Sequence, residues 1–346
     1  MQGRKIMKES NRDKKRTVWF VVLIAVFCGV FFLSFMWGQY SISPGEIFRM
    51  IGEKITGTDS GVAATKEKVF FNIRLPRVLG ACIVGGGLAV SGCVYQGTMR
   101  NPMVSPDILG ATSGAGMGAA LALLMSWSAA AVQLIAFVFG LLAVALTYYF
   151  AHIISRKAGM VLSLVLTGIV MSALFEAGIS LMKYVADPYS KLPAITFWLM
   201  GSLAAVVPSS LPLLVIPLVI GLIPLILMKW RINLLSLPDE EALSMGINIT
   251  RMRIIVIVCA TLITSSIVAV GGLIGWVGLI IPHMARIAAG PDFRKLLPAS
   301  LLMGSTFLLL VDDIARGATS MEIPLGILTA AVGAPFFLIL MYRSQR

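Results

Sequence analysis

GTMRNPMVSPDILGATSGAG, residues 97–116, sets an arginine, two prolines, an aspartate and four glycines between two long apolar runs. Pro102 and Pro106 each lack an amide hydrogen and restrict the residue before them, so a continuous helix cannot run through 101–105. Asp107 is placed to cap a restarted helix, and the small residues after Gly110 let that helix pack closely. The stretch is therefore an interruption of two kinds to weigh. It is a plain turn between two helices, or a break inside the bundle where backbone lines protein or water.

The flanking runs set the context. Hydrophobic residues make up 58% of the 346-residue chain and charged residues 13%, with a mean hydropathy of +0.91, too apolar for a water-facing surface. A hydrocarbon layer about 30 Å thick takes about 20 helical residues to cross. Ten stretches of that order lie near 18–37, 78–96, 107–125, 129–152, 160–186, 211–228, 254–272, 273–289, 296–311 and 323–342. Backbone polar groups in lipid must be satisfied within the segment, so these are helices; the alternation of a membrane β-barrel is absent. The expected fold is an all-α integral membrane protein of about ten transmembrane helices over 18–346, behind a basic tail at 1–17.

The net charge of +12 is scattered over short loops and tails, which argues against a nucleic-acid face and for topology signals. Arg4, Lys5, Lys8, Arg12, Lys14, Lys15 and Arg16 hold the N-terminus in the cytoplasm. Threading ten spans from there puts Arg156/Lys157, Lys229/Arg231, Arg251/Arg253, Arg294/Lys295 and Arg343/Arg346 on the same side. Both termini are then cytoplasmic, and 38–72 and 187–193 lie outside. The first span is long and lacks a small-residue cleavage site, so it reads as retained rather than as a signal peptide. The outer segment 38–77 breaks the charge trend with Arg49, Lys54, Lys66, Lys68, Arg74 and Arg77. Glu46, Glu53, Asp59 and Glu67 balance the lysines as in an ordinary solvated loop, whereas Arg74 and Arg77 flank Pro76 at the mouth of a span.

Catalytic and metal motifs are scarce. Cys28, Cys82, Cys93 and Cys259 sit in apolar runs without C-x-x-C spacing, and His152 and His283 are far apart, so no metal is expected. No G-x-x-x-x-G-K-[ST] occurs, so ATP is not bound here by a P-loop. The repeats Gly85, Gly86, Gly87 and Gly114, Gly116, Gly118 lie inside spans and suit close helix packing. Glu176, in VLTGIVMSALFEAGISLMKYV, is a charge in mid-span. Such a residue faces a watery path or bonds a neighbouring helix. A proton-coupled carrier ordinarily needs a second membrane carboxylate, and no other stands mid-span.

LLSLPDEEALSMGINITRMR, residues 234–253, carries a further signal. Pro238 and Asp239-Glu240-Glu241 start a helix with carboxylates at its positive end, and Gly246 stops it. The result is a helix of about two turns with a small apolar face from Ala242, Leu243 and Met245. It is either a bland loop helix or a docking knob for a soluble partner.

Five separated segments carry a family resemblance: NIRLPRVLGACIVGGGLAVSGCVYQGTMRNPMVSPDILGATSGAG, FWLMGSL (197–203), DEEALSMG, GLIGWVGLIIPHMAR and DDIARGATSMEIPLGILTAAVGAPFF. Together they resemble the FecCD permeases of ABC importers, a family that takes up iron-siderophore complexes, haem and cobalamin. The likeness runs from about residue 18 to the end. It implies a homodimer, or a pair with a close paralogue, with the translocation path between the two copies. It also implies two ATPase subunits, which hold the ATP and magnesium, on the cytoplasmic face, and an extracytoplasmic binding protein outside. No cofactor is implied for this chain.

Residue by residue, the resemblance implies that Arg74, Arg77 and Arg316 receive acidic groups of the binding protein. Glu240, Glu241, Ala242, Met245 and Gly246 correspond to the ATPase-coupling helix. Gln96, Asn101, Pro102, Pro106 and Gly110 belong to a hinge beside the path, which favours the break over the plain turn. Glu176 departs from the small or neutral residue expected there. The reading is a non-enzymatic permease of a prokaryotic plasma membrane, carrying an iron-siderophore or haem; cobalamin uptake and an ion-driven carrier are the alternatives.

Overall fold

The structure, a computed structural model, describes residues 2–38, 40–57, 61–319 and 321–344; for 2–17, 156–158, 340, 341, 343 and 344 it describes the backbone alone. The side chains of Arg4 to Arg16, Arg156, Lys157 and Arg343, together with Asp59 and Arg346, therefore lie outside the described residues, and so do their roles as topology signals.

Among the described residues all regular structure is helical. Helix α1 (Gln2–Met36) is continuous across 17 and 18, so the basic tail has no separate boundary in the backbone; its apolar part is Val18–Met36. Helix α2 (Pro44–Thr56) opens with a capping box between Ser43 and Glu46 and closes on Gly57 at φ 71°. Helix α3 (Ala64–Lys68) passes through a π-helical turn, Val69–Arg74, into α4 (Leu75–Thr98). The widened turn stands just before Pro76, whose missing amide hydrogen leaves one carbonyl of the ordinary helical ladder without a partner. After the break come α5 (Ala111–Leu124), α6 (Ala129–Ala158), α7 (Met160–Val185) and the short α8 (Lys191–Leu199). Helix α9 (Leu211–Leu227) leads to two short helices, α10 (Lys229–Leu235) and α11 (Asp239–Ser244). Helices α12 (Ile249–Gly271), α13 (Val277–Ala289), α14 (Phe293–Gly317) and α15 (Leu325–Ser344) complete the chain.

Seven of these helices are long and apolar enough to cross a membrane, and three shorter apolar ones, α5, α13 and Leu325–Ile339 of α15, occupy the remaining expected spans. The short ones are short because an irregular stretch precedes each. Residues 272–276 before α13 include Gly272 at φ 70° and Trp276 at φ 68°, and this non-helical backbone is tolerable only where protein surrounds it.

Helix α4 is the axle of the bundle: its best apolar window is 83% buried, against 11% for α1. Its glycines explain the difference. A Cβ at Gly85 would stand 2.2 Å from the carbonyl oxygen of Gly304, one at Gly92 1.8 Å from that of Gly278, and one at Gly97 2.4 Å from the ring of Phe293. Backbone thus meets backbone at Gly85 and Gly92 and a ring meets it at Gly97, the close packing that small residues permit in membranes.

Candidate functional site

The side-chain bonds sort the helix ends into two groups. At one end Arg74, Arg77, Asp312, Arg316 and Glu322 gather with the last turn of α1. At the other, the end of α4 meets α10, α11 and the starts of α12 and α14. This pairing agrees with ten alternating passes. It fixes which ends share a side, not which side is cytoplasmic.

The first end corrects an expectation. Arg74, Arg77 and Arg316 are brought together, yet they are buried, at 5%, 5% and 6% exposure. Arg74 donates Nη1 to the carbonyl of Phe35 (2.8 Å) and Nη2 to that of Tyr40 (2.6 Å), so it satisfies one carbonyl that the last turn of α1 leaves without a helical partner and one in the segment that follows. Arg77 grips Asp312 through Nε and Nη2, at 3.0 and 2.9 Å from Oδ1, and donates Nη1 to Glu322 at 2.6 Å. Arg316 donates to the Ser34 carbonyl at 2.5 Å and pairs with Asp313, whose carboxylate also accepts from Ser34 Oγ at 2.6 Å. Three guanidiniums thus face three carboxylates, and the cluster has no surplus positive charge to offer. Sequence reasoning missed Asp312 and Asp313. Their spacing of four and three before Arg316 was the available signal. Only Glu322, with its side chain 41% exposed, opens to the surface.

Behind this cluster three sequence motifs meet through the backbone. Leu325 and Gly326 donate to the carbonyls of Gly201 and Met200 at 2.9 and 3.0 Å, and Ser202 donates to Gly271 at 2.9 Å. A Cβ on Gly201, at φ 72°, would lie 2.6 Å from the Leu273 carbonyl oxygen. FWLMGSL, GLIGW and IPLG therefore act as one backbone knot.

The break of 97–116 opens with an exposed turn at Arg100–Met103 and continues as a non-helical segment that re-enters the bundle. A 3-10 turn, Pro106–Leu109, ends on Gly110 at φ 84°. A Cβ on Gly168, eight residues into α7, would lie 2.1 Å from the Ile108 carbonyl oxygen, so the segment reaches about 12 Å along that helix. Pro106 packs on Gly278 of α13, and Leu109 accepts a 3.0 Å bond from Thr147 of α6. Gln96, 2% exposed, holds the base by donating Nε2 to the carbonyls of Leu279 (3.1 Å) and Val104 (3.3 Å). Asn101 turns the chain by accepting from the Met103 amide at 2.9 Å, an Asx turn. Pro102 stands in that turn. One detail differs from expectation: α5 begins at Gly110 without a side-chain cap. Asp107 is exposed and does not cap the helix start.

At the second end, α11 starts at Asp239 and Gly246, at φ 77°, terminates the turn as expected. Glu240, Glu241 and Gly246 are exposed, and Leu243 and Met245 are each 58% exposed. Ala242 is the correction: at 1% exposure it faces the chain's own interior, because with α11 lying on the bundle one residue per turn must point inward. The helix is tied to the break. Arg100 donates Nε to the Leu235 carbonyl at 3.2 Å and pairs with Asp239, which also meets Arg253 at 3.3 Å.

Glu176 lies on the face of α7 that the rest of the chain leaves open, and accepts a 3.2 Å bond from Ser113 Oγ of α5. A carboxylate in hydrocarbon costs about 2.5–3.5 kcal/mol or more, so this face suits water or protein, not lipid.

Comparison with known proteins places this architecture. The model of the FecCD transport family matches residues 23–343. The molybdate import system permease protein MolB of Haemophilus influenzae is 40% identical over 309 residues, covering 89% of this chain and 90% of that protein. The Fe(3+)-citrate import system permease protein YfmE of Bacillus subtilis is 35% identical, covering 98% and 99%. A solved metal-chelate-type ABC transporter in an inward-facing conformation superposes with a TM-score of 0.83 at 38% identity, covering 93% of this chain and 98% of that one.

Proposed function

Since the chain belongs to the FecCD transport family, we propose that it is the permease of an ATP-driven importer that admits a metal chelate from an extracytoplasmic binding protein. The observation that carries the reading is α11, a short helix with Leu243 and Met245 presented outward and its root bonded through Arg100 to the re-entrant segment. A soluble ATPase that pushes on such a helix moves backbone beside α7. ATP and magnesium then belong to that partner.

Two copies of the chain would enclose the path, as a homodimer or with a close paralogue, with the open face of α7 and Glu176 turned toward it. The basic residues of the short loops put α11 and both termini in the cytoplasm of a prokaryotic cell. On the outer side an acidic binding protein meets the exposed Arg49 and Lys54 of α2 first. It reaches Arg77 only by displacing Glu322.

The cargo is an iron chelate in our reading, a siderophore complex or haem, with cobalamin as the alternative; the ferric citrate named for one relative supports it, and the molybdate named for another sets the competing case. Uptake into vesicles holding permease and ATPase tests the proposal. A panel of ferric chelates, cobalamin and molybdate offered with the binding protein should give ATP-dependent uptake of one chelate class. Uptake that follows an ion gradient without ATP would reject it.

A further inference from the structure

Beside α11 the helix ends leave a hollow of about 480 Å³ lined by Trp230, Arg231, Asn248, Arg251, Met252 and Ile255, with no carboxylate in its wall. Arg231 and Arg251 are exposed, and among the described residues no carboxylate pairs with either guanidinium. At the same end of the bundle Arg100 and Arg253 instead share Asp239. The acidic Glu240 and Glu241 of α11 do not line the hollow.

A second hollow lies on the same helix. It is an apolar groove of about 380 Å³ between α6 and α12, lined by Leu141, Val144, Tyr148, Ile254, Val258 and their neighbours. Ile254 of the groove is one turn beyond Arg251 and adjacent in sequence to Ile255 of the cationic hollow, so the two hollows lie at neighbouring levels of α12. Leu227, Ile254 and Val258, 79%, 38% and 58% exposed, face outward on this side, the part of a membrane protein that meets acyl chains. Trp230, 54% exposed, stands at the boundary, where indole rings are anchored between headgroup and hydrocarbon.

We propose that these two hollows form one site for an anionic phospholipid. Its phosphate lies between Arg231 and Arg251, and an acyl chain lies in the groove between α6 and α12. A cationic hollow with an apolar groove one turn away on the same helix fits a two-part amphiphile better than a free anion, which would leave the groove unused. Arginine suits the phosphate because its planar fork donates two bonds at once. The lipid would wedge against the first turn of α12, directly behind Gly246 and Ile247, and so would brace the root of α11. The inference stands apart from cargo identity.

Native mass spectrometry of the full-length permease in detergent tests it. Phosphatidylglycerol and phosphatidylcholine with the same acyl chains are titrated into wild type, R231Q/R251Q and R231K/R251K. We expect a preference of roughly tenfold for phosphatidylglycerol, carried by the two charges, lost in the Gln pair and kept in the Lys pair. Brominated phosphatidylglycerol should quench a tryptophan signal that disappears in Trp230→Phe. Equal binding of the two lipids, or a preference untouched by the Gln pair, overturns the proposal. So does displacement of the lipid by millimolar glycerol phosphate, which would mark a soluble-anion site. Quenching that persists in Trp230→Phe would put the lipid elsewhere. If the Gln pair does not fold, the Lys pair and the Trp230→Phe difference decide alone.

Discussion

Arg100, just past the end of α4, pairs with Asp239, the first residue of α11, across 139 positions of sequence. The contact joins α11 with the segment that re-enters the bundle beside α7. Its side chains are 33% and 48% exposed, so the pair itself adds only about 0–1 kcal/mol to stability. Arg100→Gln or Asp239→Asn should therefore leave the melting temperature nearly unchanged while lowering the cargo moved per ATP hydrolysed. Coupling equal to wild type in both variants would show that the contact is only structural.

The cluster around Arg77 behaves differently. Arg77 is buried and its carboxylate partner Asp312 is 1% exposed, and removing one member of such a pair strands the other charge at a cost of about 3–5 kcal/mol. Arg77→Ala should sharply lower thermal stability in detergent. Arg77→Ala with Asp312→Ala should recover part of the loss, because no buried carboxylate is then stranded: Glu322 is solvated and Arg316 keeps Asp313. Reversing Arg77 and Arg316 to Glu should prevent folding altogether. A well-folded double reversal would mean that the buried network is not as described.

For the ATPase interface the burial pattern selects the residues. Leu243→Asp with Met245→Asp changes only exposed positions and should abolish co-purification of the ATPase without affecting the permease fold. Ala242→Arg should instead destabilise the permease, since an arginine has no room at a position 1% exposed. If Ala242→Arg folds normally and releases the ATPase, α11 is turned the other way.

The pH dependence of α2 and α3 follows from Glu46. Its bond from Lys66 at 2.6 Å, together with the Ser43 amide, lowers the carboxyl from 4.5 to about 2. A depressed acid contributes fully above its unfolded value and loses that contribution as pH falls toward the folded one. The tie between α2 and α3 should hold unchanged down to about pH 4.5 and fade between there and about 2. Lys66→Met should return the carboxyl titration, followed by NMR, toward its ordinary range.

Much of the fold was legible because membrane spans advertise themselves by length and apolarity, and because Pro102, Pro106 and Gly110 can do little except interrupt a helix. The depth of the interruption was not legible. It depends on Gly168 and Gly278 standing opposite Ile108 and Pro106, and spacing along the chain does not reveal which glycines face each other. Likewise Arg74 and Arg77 read as outer cations while their partners lay 235 or more residues away at Asp312 and Glu322 for Arg77, and on the backbone of α1 and the turn after it for Arg74. The burial of Ala242 beside the exposed Leu243 is a matter of helix rotation, set by packing against α12, and a six-residue helix is too short for periodicity to fix it.

The central claim is that this chain passes cargo under the drive of a separate ATPase. The direct measurement is uptake by vesicles that contain the permease, with and without its ATPase, ATP and the loaded binding protein. The account predicts uptake only when all are present, abolished by Leu243→Asp with Met245→Asp. Uptake of the same size without the ATPase, or uptake abolished by an ionophore while ATP is held constant, would contradict it.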